Sequence, residues 1–138
     1  MGTWRNGTGR LTVEAAEGTE GAAGPDAPGA PGAPVEVALE IAASYGTRRR
    51  GLLGRSGIDG ALLITPCNSI HTFRMGFTID VAYLDRSLKV LQVHTVKPGR
   101  LHMPRLRARH VLEAEAGAME RWGLRPGARV SVTDVPSA

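Results

Sequence analysis

The sequence contains a single cysteine, Cys67, among its 138 residues. One cysteine cannot form an internal disulfide, and no cysteine pair with the spacing of a zinc site is present. We therefore expect neither a disulfide-stabilised secreted domain nor a cysteine-based metal site, and we assign no metal or other cofactor. A charged start followed by a long apolar segment, the mark of a secretory signal, is also absent. These absences predict a cytoplasmic protein.

Aromatic residues and long apolar runs are scarce as well. Phe, Trp and Tyr make up 4% of the chain, and proteins that bind single-stranded nucleic acid normally use several such side chains for stacking. No apolar run approaches the roughly 20 residues that a membrane-spanning helix needs. We therefore predict no membrane span, and specific nucleic-acid recognition is not indicated.

Lysine is scarce as well, because Lys89 and Lys97 are the only two in the chain and the other basic residues are arginines and histidines. The net charge is +4. Arginine suits bidentate contacts with phosphate or carboxylate groups. The accompanying excess of Ala and Gly is, however, also typical of a GC-rich genome. We favour that explanation and expect a bacterial source.

The beginning of the chain has the composition of a disordered tail. Residues 18–34 are mostly Gly, Ala and Pro with a few acids, and such a segment has little apolar area to offset the entropy lost on ordering. We predict a disordered tail over residues 1–34 and one domain over residues 35–138. As an alternative for part of the tail, Trp4 and the Leu11–Val13 run could dock as an edge strand.

The rest of the chain alternates short apolar segments with turn residues. This pattern predicts a mainly β domain, a compact β-sandwich or barrel-like fold with one or two short helices. The predicted strands are 35–41, 61–64, 70–73, 79–84, 88–96, 109–115 and 128–133, and the predicted helical turns are 47–54 and 116–122.

Three stretches resemble the DUF192 family, also known as UPF0127. They are Thr47-Arg-Arg-Arg-Gly-Leu-Leu-Gly-Arg55, the run from Ser69-Ile-His-Thr72 to Leu84-Asp85, and Val111-Leu-Glu113 with the glycines that follow it up to Gly127. The resemblance covers about residues 35–134 and implies a compact β fold of mixed strands without an established activity. Relatives often have an aromatic residue at position 71 and mostly lack Cys67, which argues against a shared catalytic role for this pair.

The most reactive stretch, residues 66–85, offers two candidate chemistries. Cys67 and His71 could form a thiolate–imidazole pair if the chain turns between them; otherwise Cys67 is a small buried residue. Asp80 is the other catalytic candidate. A metal site combining Cys67 and His71 with His94, His102 or His110 has no diagnostic spacing.

The two acids of this stretch also have structural interpretations. Asp80 lies within an apolar run, and a buried carboxylate needs a partner. We expect that partner to be an arginine of the Arg48–Arg50 group or Arg55. Asp85 is expected to cap the turn that leads into Leu88.

The leading function hypothesis is a non-enzymatic binding or accessory domain. Its cleft would lie between the 48–55 segment and residues 71–80, and it would take a small anionic ligand or a protein partner. One alternative is a hydrolase-like enzyme that uses Cys67 with His71, or Asp80. A weaker one is electrostatic binding of nucleic acid through residues 97–110. The proposed ligand-binding residues are Arg48, Arg49, Arg50, Arg55, His71, Met75 and Asp80.

Overall fold

A computed structural model of the chain describes residues 4–14 and 34–134. Within these residues the chain forms nine strands and two short helices. In chain order they are β1 (Gly7–Val13), β2 (Val35–Ala42), α1 (Tyr45–Arg50), β3 (Ala61–Ile64), β4 (Ile70–His71), β5 (Ile79–Leu84), β6 (Val90–Val96), β7 (Leu101–His102), β8 (His110–Glu115), α2 (Ala118–Arg121) and β9 (Val130–Asp134). The prediction of a mainly β domain with short helices is confirmed.

Seven of the strands form one curled sheet, in the order β6-β5-β8-β3-β2-β1-β9. β2 and β3 run parallel, and the other neighbours are antiparallel. The sheet curls far enough for an isolated bridge to join Lys89, beside β6, to Arg129, beside β9. The architecture is thus a half-barrel made from one sheet, and the short β4 and β7 form a separate pair.

The curled sheet buries apolar side chains on both of its faces. One face, which includes Leu39 and Leu112, packs with Met119 of α2; we call it the α2 face. The other face, which includes Val111, packs with Leu52 of the segment after α1; we call it the α1 face. Because both faces are covered, all six residues of β5 are buried, which explains why that strand is a continuous apolar run interrupted only by Asp80.

β1 is the main departure from the predicted organisation. Gly7–Val13, which we assigned to the tail, lies within the sheet and pairs with β2 on one side and β9 on the other. Leu11 is fully buried and Val13 nearly so, so the tail assignment does not hold for these residues. The remainder of the predicted tail, residues 15–33, lies outside the described residues.

Local capping differs in detail from the sequence prediction. α1 begins after Ser44, whose Oγ accepts a hydrogen bond from the Thr47 backbone N–H, and ends at Gly51, where φ is +48°. The helical turn was predicted over residues 47–54, so α1 begins two residues earlier than expected. The predicted turn cap is confirmed, because Asp85 Oδ1 accepts hydrogen bonds from the backbone N–H groups of Ser87 at 2.8 Å and Lys89 at 3.0 Å.

No helix among the described residues has both the length and the apolar composition required to cross a membrane.

Candidate functional site

A cleft of about 170 Å³ opens between α1 and the chain around β4. We call it the α1 cleft. It lies on the α1 face of the sheet, and its wall contains five of the predicted site residues together with Cys67. The residues that carry its chemistry are Arg48, Arg49, Arg50, Cys67, His71, Met75 and Glu113.

The three consecutive arginines of α1 form the basic side of this cleft. Arg48 is half-buried and its Nη1 donates a hydrogen bond to the Pro66 carbonyl at 3.0 Å, whereas Arg49 and Arg50 are exposed. The ion pairs among the described residues involve other arginines. Within the described part of the chain, no carboxylate therefore neutralises the charge on this side of the cleft.

Cys67 and His71 both line the cleft, but they do not form the predicted catalytic pair. The Cys67 thiol donates to the Ser69 carbonyl oxygen at 3.0 Å, and the His71 ring stacks on Phe73 with centroids 5.2 Å apart. Burial raises the pKa of the Cys67 thiol, and the nearby Glu113 carboxylate raises it further against the opposing effect of Arg48. This environment opposes the formation of a reactive thiolate.

Asp80 does not join the cleft, and its predicted arginine partner is wrong. Its carboxylate lies on the α2 face, where it accepts hydrogen bonds from the Thr95 hydroxyl at 2.7 Å and from the backbone N–H groups of Gly117 and Met119 at 2.9 and 3.1 Å. The physical reason is strand alternation, since Ile79 and Val81 point to the α1 face and Asp80 between them points away. Asp80 is thus satisfied by neutral donors and holds the start of α2.

Arg55 is also separated from the α1 cleft. It forms a bidentate ion pair with Glu40, with N–O distances of 2.8 and 2.9 Å, and this hydrogen bonding lowers the pKa of the Glu40 carboxyl. The pair lies in a neighbouring cleft of about 310 Å³, which Arg50 also lines. Arg50 therefore borders both clefts, while Arg55 is already occupied by a carboxylate.

Glu113 is the residue that the sequence reasoning missed. It follows Val111 and Leu112 in β8 and its side chain is only 5% exposed. Burial raises the pKa of this carboxyl to about 7. An acid inside an apolar strand segment was the available signal, because the same pattern drew attention to Asp80. The sequence did not reveal that the two acids lie on opposite faces of the sheet.

Two of the basic residues proposed for nucleic-acid binding, Arg105 and His110, are engaged by other side chains of the domain. His110 is buried and its Nδ1 hydrogen-bonds to the Thr65 hydroxyl at 2.7 Å, and the Arg105 guanidinium packs over the Tyr83 ring at 4.7 Å. His102 is half-buried. The remaining basic residues of the 97–110 segment are exposed, namely Lys97, Arg100, Arg107 and Arg109.

Two histidines meet in a way that the sequence did not indicate. The rings of His94 and His102 lie 5.2 Å apart, and the Tyr83 hydroxyl is 3.0 Å from His102 Nδ1. Burial, with Arg105 nearby, lowers the pKa of both imidazoles. Within residues 4–14 and 34–134, no three His, Cys, Asp or Glu side chains are grouped closely enough to hold a metal ion.

Comparison with known sequences identifies the DUF192 family and several UPF0127 proteins. Residues 29–132 match the family model of DUF192, described as "Uncharacterized ACR, COG1430". A UPF0127 protein from Pyrococcus horikoshii is 36% identical over 90 residues, which cover 62% of this chain and 78% of the relative. A UPF0127 protein from Thermococcus kodakarensis is 32% identical over 101 residues. That match covers 69% of this chain and 64% of the relative, so the chain spans somewhat less than two thirds of that protein. Because these relatives are archaeal, a bacterial source stays a prediction.

Two solved structures share the fold at low sequence identity. A Sinorhizobium meliloti protein solved as a candidate transcription regulator superposes with a TM-score of 0.73 at 18% identity, covering 95% of this chain and 98% of that one. A protein of unknown function from Novosphingobium aromaticivorans superposes with a TM-score of 0.67, also at 18% identity, covering 88% of this chain and 83% of that one. At this identity the likeness shows the fold alone.

Proposed function

This chain belongs to the DUF192 family, and we propose that it is a binding domain that takes a small anionic ligand in the α1 cleft. The observation that carries the proposal is the set of three arginines at the cleft without a carboxylate partner among the described residues. A guanidinium group binds carboxylate or phosphate oxygens through two parallel hydrogen bonds. The expected compartment remains the cytoplasm.

The size and lining of the cleft support a small ligand. Its volume of about 170 Å³ is below the range of roughly 300–1,000 Å³ that is typical of sites for drug-sized molecules. Met75 and Ile70 supply apolar wall area, and the arginines supply charge at one side. This arrangement would hold the anionic group of a compact ligand and leave the rest against apolar side chains.

The state of Cys67 favours binding over hydrolysis. An activated cysteine needs a lowered thiol pKa and a base within hydrogen-bond reach, whereas this thiol has a raised pKa and donates to a carbonyl oxygen. Asp80, the other acid considered for a hydrolase, lies on the opposite face of the sheet and is held by three hydrogen bonds. Neither arrangement supports the enzyme alternative.

The test is a titration with inorganic phosphate at low ionic strength, in which binding is monitored by the amide chemical shifts in two-dimensional NMR spectra. We expect shifts in residues 48–53 and 67–71, and a dissociation constant at least tenfold weaker in the Arg49→Gln/Arg50→Gln double variant. Arg86→Gln, in the exposed β5–β6 turn, is the matched control and should bind as the unmodified chain does. Shifts spread evenly over the arginines of the surface, or equal affinity in the double variant, would refute the proposal.

A further inference from the structure

Glu113 presents its carboxyl group to the interior of the α1 cleft. It lines the cleft with Arg48 and Gly51, and its Oε1 lies 3.7 Å from the position that a Cβ at Gly51 would take. The residue is almost completely buried. β8 fixes this placement, because Val111 and Glu113 alternate with Leu112 and Ala114, which face α2.

Nothing in the described chain pairs with this carboxyl group. The ion pairs of the described residues use Glu36, Glu40 and Glu115, and burial alone accounts for the raised pKa of Glu113. Every fully buried side-chain oxygen or nitrogen among these residues has a hydrogen-bond partner. The unpartnered Glu113 oxygens are therefore not fully enclosed, and the cleft is the space from which they can be reached.

A buried carboxyl group without a partner is costly to ionise, and a desolvated carboxylate gains much from a cation that reaches it. The arginines of α1 do not supply that cation, since none of the ion pairs of the described residues involves Glu113 and Arg48 donates to the Pro66 carbonyl instead. The cleft thus has positive charge at α1 and an unneutralised acid on the strand side. A ligand with only negative charge would pair with the arginines of α1, but the Glu113 carboxylate would repel it once Glu113 ionises.

We infer that the ligand of the α1 cleft is amphoteric, with an anionic group for the α1 arginines and a protonated amine that pairs with Glu113. This inference rests on the proposed function, which supplies the anionic half of the ligand. Amino-acid-like molecules and aminoalkyl phosphates or sulfonates belong to this chemical class. Binding of the amine would draw Glu113 into its ionised form and release the proton that the free carboxyl holds near neutral pH.

The test compares two probes that differ only in the amine, taurine and ethanesulfonate. Neither sulfonate titrates near neutrality, so any pH dependence between pH 6 and 8 comes from the protein. We expect taurine to bind at least tenfold more tightly than ethanesulfonate at pH 8, and its advantage to shrink towards pH 6 as Glu113 becomes protonated. The pair 3-aminopropanesulfonate and propanesulfonate repeats the comparison with a spacer longer by one methylene.

Glu113→Gln should reduce taurine binding to the level of ethanesulfonate and leave ethanesulfonate binding undiminished. Glu115→Gln, two residues further along β8 with an exposed side chain, is the matched control and should keep the preference for the amine. Circular dichroism and the melting temperature confirm that each variant is folded. If folding fails in Glu113→Gln, the pH dependence of the taurine advantage is measured in His71→Gln, which removes the other imidazole or carboxyl group of the cleft wall; an advantage that still shrinks towards pH 6 supports Glu113, and one that no longer changes refutes it.

The outcomes separate the two proposals. Equal binding of both members in both probe pairs would overturn the amphoteric ligand and leave anion binding intact. No binding of any sulfonate, together with no binding of phosphate, would overturn the anion site and with it this inference. An amine preference that survives in Glu113→Gln would refute the role of Glu113 while keeping the cleft as the binding site.

Discussion

Asp80 and Met119 are joined across the α2 face of the sheet, where a carboxylate oxygen of Asp80 accepts a hydrogen bond from the Met119 backbone N–H at 3.1 Å. The same oxygen accepts from Gly117, so one buried side chain holds the start of α2. We predict that Asp80→Asn lowers the free energy of unfolding by about 1–3 kcal/mol, because the amide replaces an acceptor of charge-assisted hydrogen bonds. Urea denaturation measures the change.

The control for Asp80 is Asp59→Asn. Asp59 is exposed, and a substitution at such a site usually changes stability by less than about 0.5 kcal/mol. If Asp80→Asn is as stable as the unmodified chain, the hydrogen bonds to Gly117 and Met119 do not stabilise α2 in solution.

The position of β1 predicts that the start of the chain is essential for stability. Leu11 is fully buried between β2 and β9, so Leu11→Ala should lower the free energy of unfolding by about 2–5 kcal/mol. Thr8→Ala, at an exposed position of the same strand, should have little effect. A disordered tail over residues 1–34 would imply the opposite, namely that these residues can be removed without a change in the melting temperature. Thermal unfolding of a chain lacking residues 1–14 decides between the two.

Cys67 should react slowly with thiol reagents in the native protein. Burial raises its pKa, so the reactive thiolate is a small fraction at neutral pH. We expect labelling to accelerate only as the pH rises above about 8.5, and the denatured chain, as the reference, to react faster at every pH. Fast native labelling with an apparent pKa well below that value would instead support the cysteine-based enzyme.

Glu113 should make stability fall as the pH rises through neutrality. Its pKa is about 7 in the folded chain, above the ordinary value of 4.5, so the folded state binds the proton more tightly than the unfolded state does. The stabilising contribution is complete below about pH 4.5 and is lost as the pH rises through 7, with a total on the order of 3 kcal/mol.

Substitution isolates this contribution from those of other titrating groups. The difference in unfolding free energy between the unmodified chain and Glu113→Gln should shift in favour of the variant between pH 4.5 and 8. Glu115→Gln, at an exposed position of the same strand, is the control for the substitution. A difference that stays constant across this range would show that Glu113 ionises normally.

The strands were predictable where local alternation was enough to define them. β2 alternates Val37, Leu39 and Ile41 with Glu36, Ala38 and Glu40, and its predicted span differs from the observed one by a single residue. β1 was assigned to the tail, with docking of the Leu11–Val13 run as an edge strand only an alternative, because the Gly-rich residues around this run resemble the tail that follows. The pairing that stabilises β1 is with β2 and β9 on its two sides, and β9 is distant in sequence. Local composition does not indicate which distant strands a segment will pair with.

The sequence predicted the arginines that line the α1 cleft but not its acid, Glu113. Arg48–Arg50 and His71 meet at one cleft because α1 and β4 are both brought against the same face of the sheet. Which of two buried acids faces that cleft depends on strand parity, and the register of β5 and β8 pairs Asp80 with Ala114 and Glu113 with Val81. That register follows from the assembled sheet, so the sequence allowed the wrong acid to be chosen.

The insertion of β1 between β2 and β9 has a consequence for the synthesis of the chain. β1 can pair with β2 soon after both emerge from the ribosome, but Gly9 must wait for Asp134 before its other side is covered. At about 5–20 residues per second this wait lasts several seconds or more. Throughout that interval the nascent chain displays an open strand edge, the surface on which strands of other molecules add most readily. The segment that closes this edge is therefore also the one whose late synthesis leaves the nascent chain open to aggregation.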